Sequence, residues 1–311
     1  MDTIRLGLEW FLNPDHVPLL IAEEKGWLDE AGLDVDVIEP EEHLDAPAAI
    51  ENGAMDVAIT EPLHLVEDRA EGRPVVGFAR FLHTNGGVMY RRGHGSSGSK
   101  GIRRPRDMAR PESEAPLRVQ YPGAPGPGGP AIVQTMIEAD GGTFDPEQVE
   151  PVNNSFYHTD ALAQDKADVA TLAFYNFEVV EARHRGLDAD FFALKDYGIP
   201  DFCQLILITS PALLDERREV FARLVRALRR GIDLVYQQPQ EARRIYYARA
   251  EQADPGDALT EQFFAATLPC FTYDFSMSQR YYERLEGWMH KAGLIEEPPG
   301  PAAYWTDELA L

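Results

Sequence analysis

Aromatic, amide and carboxylate side chains collect at the ends of four predicted strands. The clusters contain Trp10, Asn13, His16, His83, Asn85, Tyr157, Tyr175, Asn176 and Glu178. In open α/β sheets, ligands bind outside the carboxyl ends of the strands. A flat, nitrogen-rich ring could stack on Trp10 or Tyr175 while carboxyl and amide groups meet its edge. For any single member the alternative is a side chain that packs a loop, but four clusters at equivalent positions favour a shared binding function.

Glu61 and His64 directly follow the third predicted strand. A histidine there could contact a ligand, accept a proton or ligate a metal, and Glu61 could orient it or meet the ligand itself. A histidine with a structural role is the alternative. The sequence contains no nucleophile elbow, no His-Glu-x-x-His motif and no EF-hand loop, so it predicts no metal site.

A glycine-rich segment, residues 121–130, lies between a predicted strand and a predicted helix. Gly128 and Gly129 would expose backbone N–H groups at the helix N-terminus, where a carboxylate or phosphate can bind. The segment matches neither a Walker loop nor a dinucleotide fingerprint, and it contains no lysine or arginine. A stiff connector is therefore the alternative to a polar ligand contact.

Alternating strands and helices would position these residues. Over the first 90 residues, the apolar patterns predict strands at 4–8, 33–38, 55–59 and 74–79 and helices at 17–25, 46–52 and 61–71. Such βαβ units imply a mainly parallel sheet.

The stretch 91–116 is rich in Gly, Ser, Pro and Arg and is predicted to be a surface connection. Beyond it, strands are predicted at 117–121, 149–152, 167–173, 191–194 and 204–208, with helices at 130–139 and 159–166 and a helical final third from residue 211. We predict an α/β protein in which residues 1–90 and 203–311 form one lobe and residues 91–202 the other, with a ligand cleft between them.

Charge excludes two classes of partner. The chain of 311 residues has 52 acidic and 29 basic residues, a formal net charge of −23. This field repels phosphate backbones and anionic lipid, so we expect no nucleic acid and no membrane insertion. Only five of the basic residues are lysines, and this composition favours a halophilic source over a merely GC-rich genome.

The two cysteines, Cys203 and Cys270, lie in apolar surroundings and form no Cys-x-x-Cys pair. The first residues show no basic region followed by an apolar core, so no signal peptide is predicted. We expect a cytoplasmic protein if Met1 is the native start, and an extracytoplasmic one if a leader has been removed.

Several segments carry a family pattern: residues 8–27 (beginning Leu-Glu-Trp-Phe-Leu-Asn-Pro), 30–35, 50–60 (containing Gly-Ala-Met-Asp), 166–170, 175–178 and 215–239. They resemble the superfamily of yeast-type thiamine pyrimidine synthases and of the aminopyrimidine- and sulfonate-binding proteins of ABC importers. The resemblance covers nearly the whole chain and implies a type II periplasmic-binding-protein fold.

Within this superfamily the aminopyrimidine-binding members look most similar. The resemblance implies that Trp10 stacks on the ligand ring, that Glu178 faces its amino edge and that the glycine-rich loop holds a phosphate. It places His64 on the histidine that the synthases consume. The synthase lysine that binds pyridoxal phosphate should stand four residues earlier, where this chain has Thr60, and a hydroxyl cannot form an aldimine. Only Cys203 stands near the iron-binding cysteine motif, so we expect no cofactor, neither pyridoxal phosphate nor iron.

We therefore predict a non-catalytic solute-binding protein for a small aromatic heterocycle, in particular a thiamine-precursor aminopyrimidine. We expect a monomer or weak dimer, with an ABC permease as the candidate partner. The alternatives are a thiamine pyrimidine synthase-like enzyme, in which His64 would be the catalytic residue, and a cytoplasmic ligand sensor. Sulfonate, nitrile-derived and riboflavin-like ligands also stay open.

Overall fold

The structure is a computed structural model that describes residues 1–40, 45–94, 101–122, 126–154, 157–250, 253–300 and 303–310. The chain forms two compact units. The first contains Met1–His83, Gln204–Glu286 and Glu297–Leu311, and the second contains Thr84–Cys203 and Gly287–Glu296. Among the described residues, no helix combines the length and apolar character needed to cross a membrane.

The first unit is built on a five-stranded mixed sheet. Its strands are β1 (Asp2–Gly7), β2 (Leu33–Ile38), β3 (Val57–Thr60), β4 (Val76–His83) and β10 (Gln204–Thr209). They lie in the order β2-β1-β3-β10-β4, with β1 parallel to both β2 and β3, and β10 antiparallel to both β3 and β4. All six residues of β10 are buried, as expected for a strand with both faces covered.

Helices cover this sheet. In the first unit they are α1 (Val17–Glu24), α2 (Trp27–Glu30), α3 (Ala46–Glu51), α4 (Pro62–Ala70), α8 (Pro211–Gln237), α9 (Pro239–Arg249) and α10 (Ala258–Thr267). Helix α11 (Gln279–Lys291) begins in this unit and contains the point at which the chain leaves it. Helix α8 joins the core through Phe221, whose ring stacks on Phe78 of β4 at 5.4 Å. A Cβ at Gly231 would lie 2.1 Å from the carbonyl oxygen of Pro18, so the close packing of α1 on α8 requires glycine there.

The second unit repeats this plan. Its strands are β5 (Gly86–Arg91), β6 (Leu117–Gln120), β7 (Val149–Val152), β8 (Val169–Phe174) and β9 (Ala189–Ala193), and its helices are α5 (Gly128–Ala139), α6 (His158–Ala163) and α7 (Glu178–His184). The strand order is β7-β6-β8-β5-β9. Here β6 is parallel to β7 and β8, whereas β5 is antiparallel to β8 and β9.

The structure differs from the sequence-based expectations in several respects. Both sheets are mixed, because β5 and β10 each run against their neighbours. Strand β5 was not predicted, and its pairing assigns residues 84–90 to the second unit, so the chain crosses at His83–Thr84 and at Cys203–Gln204. The Gly86-Gly87 pair suggests a turn, but a Cβ at Gly87 would lie 2.1 Å from the carbonyl oxygen of Phe192, so the strand itself needs glycine.

The stretch 91–116 is also better anchored than a surface connection. Short 3-10 turns occur at Arg92–His94 and Pro105–Met108. The side chains of Ile102 and Met108 are each only 1% exposed, so they attach the described part of this stretch to the core. Residues 95–100 lie outside the described residues.

Each unit contains a pair of a buried aspartate and a partly exposed arginine at the amino-terminal edge of its sheet. In the first unit, the backbone N–H and Nε of Arg5 donate to Oδ2 of Asp56 at 2.8 and 3.0 Å. In the second, the same two groups of Arg118 donate to Oδ2 of Asp168 at 2.9 and 3.3 Å. We call these pairs the Arg–Asp latches. Each latch ties the first of three consecutive strands to the start of the third: β1 to β3 in the first unit, and β6 to β8 in the second.

Candidate functional site

The carboxyl edge of the first unit's sheet brings together several predicted site residues. Strands β1 and β3 are adjacent and in parallel register, with Gly7 opposite Ala58. Glu9 and Glu61 therefore follow neighbouring strands at the same edge. His83 ends β4, which runs parallel to β3 because both are antiparallel to β10. This shared edge follows from topology alone, as is usual for ligand sites in α/β sheets.

Asn13 and His16 lie inside the loop after β1 and shape it. Both are 1% exposed. The Asn13 side chain accepts a hydrogen bond from the Asp15 backbone N–H at 2.8 Å and donates to the Phe11 carbonyl at 2.9 Å. The structure thus gives these two predicted site residues supporting contacts within the loop.

Glu9 is the residue that His16 supports. Nε2 of His16 lies 3.2 and 3.1 Å from the two carboxylate oxygens of Glu9, whose side chain is 20% exposed. Sequence reasoning missed Glu9, because a single glutamate before a tryptophan carries no spacing signal.

Glu61 and His64 begin helix α4 and are electrostatically coupled. Nδ1 of His64 lies 3.1 Å from Oε2 of Glu67, one helical turn away. Burial raises the pKa of Glu61 to about 7, an effect opposed by His64 and increased by Glu9 and Glu67. Burial by itself would lower the pKa of His64, but the hydrogen bond to Glu67 and the charge of Glu61 raise it to about 9. At neutral pH His64 is a cation surrounded by carboxylates.

Trp10 follows Glu9 and packs against Phe11. The two ring centroids are 4.2 Å apart with planes inclined at 58°. Trp10 is partly exposed and Phe11 is 38% exposed, so apolar ring surface borders the carboxylates.

In the second unit, Asn85, Tyr175, Asn176 and Glu178 lie around the carboxyl end of β8. The carbonyl oxygen of Asn85 accepts from the Tyr175 backbone N–H at 2.9 Å, and Oγ1 of Thr84 donates to Oδ1 of Asn176 at 2.9 Å. Glu178 is 7% exposed, and its Oε2 accepts from the Phe174 backbone N–H at 2.7 Å. Asn176 and Glu178 therefore also stabilise the turn between β8 and α7.

Tyr175 is the exposed ring of this edge, at 40%. Arg183 donates to its hydroxyl at 3.0 Å and places the guanidinium 4.9 Å from the ring centroid, while Phe191 meets the ring at 68°. Lys195 donates to Oδ1 of Asn85 at 2.5 Å. This edge thus bears two cationic side chains where the equivalent edge of the first unit bears carboxylates.

Gly128 and Gly129 begin helix α5, and side chains in and just after β6 pack closely against both. A Cβ at Gly128 would lie 2.7 Å from the Tyr121 ring, and one at Gly129 would lie 3.2 Å from Val119. Residues 123–125 of the glycine-rich segment lie outside the described residues. Tyr157, 65% exposed, precedes helix α6.

One group of potential metal ligands occurs among the described residues, formed by His94, Asp165 and Asp168. Arginines already pair with both carboxylates: Arg118 lies 2.8 Å from Asp168, and Arg91 lies 3.2 Å from Asp165. These guanidinium groups supply the positive charge that a metal ion would bring.

A sequence profile of the family described as NMT1/THI5 like matches residues 13–242, well over half of the chain. The chain belongs to this NMT1/THI5-like family. The resemblance drawn from the sequence is thereby confirmed.

Two curated relatives of the chain carry different names. The chain is 29% identical to a formylaminopyrimidine-binding protein of Halalkalibacterium halodurans, over 82% of this chain and 72% of that protein. It is 26% identical to the 4-amino-5-hydroxymethyl-2-methylpyrimidine phosphate synthase of Legionella pneumophila, over 94% of this chain and 88% of that protein. The family thus contains both binding proteins and synthases.

Solved structures confirm the fold class. The periplasmic aliphatic sulphonate-binding protein SsuA from Escherichia coli superposes with a TM-score of 0.71 at 10% identity, covering 96% of this chain and 90% of that one. This NMT1/THI5-like chain therefore has the fold of periplasmic binding proteins, with two α/β units.

Proposed function

We propose that this protein binds a small amino-substituted heteroaromatic compound, an aminopyrimidine of the thiamine-precursor class, and releases it unchanged. The observation that carries the proposal is the group of carboxylates at the carboxyl edge of the first unit, in which Glu61 and Glu67 lie beside His64, while Glu9, followed by Trp10, interacts with Glu61.

The charge of this edge favours a donor-rich ligand. Glu61 and Glu67 act on the protonated His64 and Glu9 adds a third carboxylate near Glu61, so the edge is net negative at neutral pH even though Glu61 is only partly ionised. An aminopyrimidine offers amino N–H groups and a ring nitrogen that can take up a proton, and carboxylates accept hydrogen bonds from both. A sulfonate offers only negative charge and acceptor oxygens. The edge therefore supports the ligand class of the formylaminopyrimidine-binding relative over that of the sulphonate-binding structural neighbour.

Trp10 supplies a flat apolar surface beside these carboxylates. An aromatic ring stacked on it can keep its edge groups free for hydrogen bonds. We propose ligand contacts for the residues predicted in the second unit as well, namely Asn85, Gly128, Gly129, Tyr157, Tyr175, Asn176 and Glu178.

A synthase activity is the second candidate, because His64 is 42% exposed beside carboxylates and a family member is named a synthase. The residues here do not fit the cofactors of that chemistry. At the position where the resemblance places the synthase lysine stands Thr60, 8% exposed, whose hydroxyl cannot form an imine. Cys203 is buried, and the chain's other cysteine, Cys270, is 67 residues away in the sequence, so no cysteine motif surrounds it. We therefore propose that the protein uses neither pyridoxal phosphate nor iron.

As a binding protein of this fold, the chain would work outside the cytoplasm and deliver its ligand to an ABC permease, as a monomer or weak dimer. We include these points in the proposal because the structural neighbour is a periplasmic binding protein.

Native mass spectrometry of the purified protein, followed by denaturation and identification of released small molecules, tests the proposal. We expect an intact aminopyrimidine to be released. Calorimetry should then show that formylaminopyrimidine binds more tightly than an alkanesulfonate. Release of pyridoxal phosphate or iron, or a mass loss from the peptide containing His64, would instead support synthesis. Tighter binding of the sulfonate would overturn the assigned ligand class.

A further inference from the structure

Glu9 and His16 form a pair whose geometry goes beyond support of a loop. Both carboxylate oxygens of Glu9 lie within 3.2 Å of Nε2 of His16. The His16 side chain is 0% exposed, whereas that of Glu9 is 20% exposed. His16 is therefore buried and holds Glu9 in place, and the Glu9 carboxylate is the part of the pair that a ligand can contact.

The backbone determines which nitrogen of His16 carries the proton. The Asn13 backbone N–H donates to Nδ1 of His16 at 3.2 Å, so Nδ1 acts as an acceptor. The neutral ring then carries its proton on Nε2 and donates it to Glu9. Because this N–H lies between the two carboxylate oxygens, it occupies the face on which a two-donor group would bind, and each oxygen retains one outward-pointing lone pair for a single further donor.

A carboxylate held in this way suits a ligand that presents a single N–H group to one of its outer lone pairs. The amino group of an aminopyrimidine presents such an N–H, and the carboxylate charge strengthens the hydrogen bond. Glu61 is less suited, because its pKa of about 7 leaves it partly protonated at neutral pH.

We propose that Glu9 is the specificity-determining residue that recognises the amino group of the ligand, and that His16 is the positioning residue that holds Glu9. This inference rests on the proposed binding of an aminopyrimidine. It assigns His16 a role behind the carboxylate instead of in contact with the ligand.

The test compares two probes, formylaminopyrimidine and its analogue lacking the ring amino group, by calorimetry at pH 7. The variants are Glu9→Gln, His16→Phe and His16→Gln, with Glu30→Gln as a charge-matched control. Glu30 forms an exposed ion pair with Arg230 and lies at the end of α2, before β2 begins at the opposite edge of the sheet.

Glu9→Gln should weaken binding of the amino compound roughly 10- to 100-fold, as expected for loss of a charge-assisted hydrogen bond, and should change binding of the analogue less than about 3-fold. His16→Phe should reduce the preference for the amino compound in the same direction, and His16→Gln should restore much of it because an amide N–H can replace Nε2. A general structural defect would weaken both probes equally.

The outcomes separate the two proposals. If the unmodified protein binds neither probe, the proposed function fails. If it binds the amino compound preferentially and Glu9→Gln keeps that preference, the role of Glu9 is wrong while the function stands. If Glu9→Gln loses the preference and His16→Phe, correctly folded, keeps it, the positioning role of His16 is wrong.

Discussion

The two units share one scaffold and differ at the edge where function is expected. Their strand orders, β2-β1-β3-β10-β4 and β7-β6-β8-β5-β9, place equivalent strands at equivalent positions. Their Arg–Asp latches join the same two strands through the same donor groups. The carboxyl edges, by contrast, carry three glutamates and a histidine cation in the first unit and the cations Arg183 and Lys195 together with Glu178 in the second. Because the latches stabilise each sheet at its amino-terminal edge, the residues at the carboxyl edge can differ between the two units without loss of the shared fold.

The latches differ in their second partner. Asp56 also pairs with Arg217 of helix α8 at 3.0 Å, whereas Asp168 accepts from His94 at 2.6 Å. The helix that supplies Arg217 follows the chain's return from the second unit, and His94 follows β5. Asp56 is thus also tied to a helix that enters its unit late in the chain, whereas Asp168 is tied to a segment at the start of its unit.

The largest expected effect concerns the latches. Asp56→Asn and Asp168→Asn should each lower the free energy of unfolding by about 2–3 kcal/mol, because each replaces a buried carboxylate that accepts charge-assisted hydrogen bonds from a partly exposed guanidinium. Urea denaturation measures the loss, with Glu30→Gln as a control expected to change it by less than about 0.5 kcal/mol. If only one of the two variants had a lower free energy of unfolding, the two pairs would contribute differently to stability despite their shared geometry.

The latches also predict an acid dependence. Burial would raise the pKa of both aspartates, but hydrogen bonds from Arg5 and Arg118 hold it below the usual value. An acid with a lowered pKa in the folded state stabilises the fold above the unfolded pKa and loses that contribution as pH falls. The asparagine variants should therefore lose less stability than the parent between about pH 4 and pH 2.

The next effect concerns Glu178. Glu178→Gln should weaken ligand binding by about 1.5–3 kcal/mol, the scale of a charge-assisted hydrogen bond. The unfolding free energy should fall by only about 1 kcal/mol, since the amide oxygen can still accept from the Phe174 backbone N–H. Glu181→Gln on the same helix, which loses an exposed pair with Arg185, is the matched control. An unchanged calorimetric affinity would remove Glu178 from the site.

Glu61 and Glu178 occupy similar positions, at the starts of α4 and α7. Glu178→Gln should lower the free energy of unfolding, whereas Glu61→Gln should raise it. Burial raises the folded-state pKa of Glu61 to about 7, so the folded protein holds a proton that the unfolded chain releases, and stability falls as pH rises from about 4.5 to 7. Glu61→Gln should therefore raise the free energy of unfolding by roughly 1–2 kcal/mol at pH 8 and leave it unchanged at pH 4. Thermal unfolding at the two pH values measures this difference. An equal effect at both would mean that ionised Glu61 is not destabilising in the folded protein.

The sequence predicted the fold class and the order of the βαβ units, because alternation and helix-ending glycines are local signals. It missed β5, whose Gly86-Gly87 start suggests a turn until the close approach of β9 is known. It also missed Glu9, since only the fold shows that His16 lies behind this carboxylate. Burial of Asn13 and His16 depends in the same way on how the loop after β1 closes, which spacing does not encode.

The smallest expected effect concerns the ring of Tyr175. Arg183 holds this ring from its face and its hydroxyl, so Arg183→Met should free the ring and weaken ligand binding by about 0.5–1 kcal/mol, the strength of an exposed cation–π contact. Fluorescence titration can resolve a change of this size. Arg185→Met, which breaks surface pairs with Asp160 and Glu181, is the control expected to leave affinity unchanged. If both variants weaken binding equally, the cause is the loss of positive charge on α7, and the orientation of Tyr175 has no separate effect.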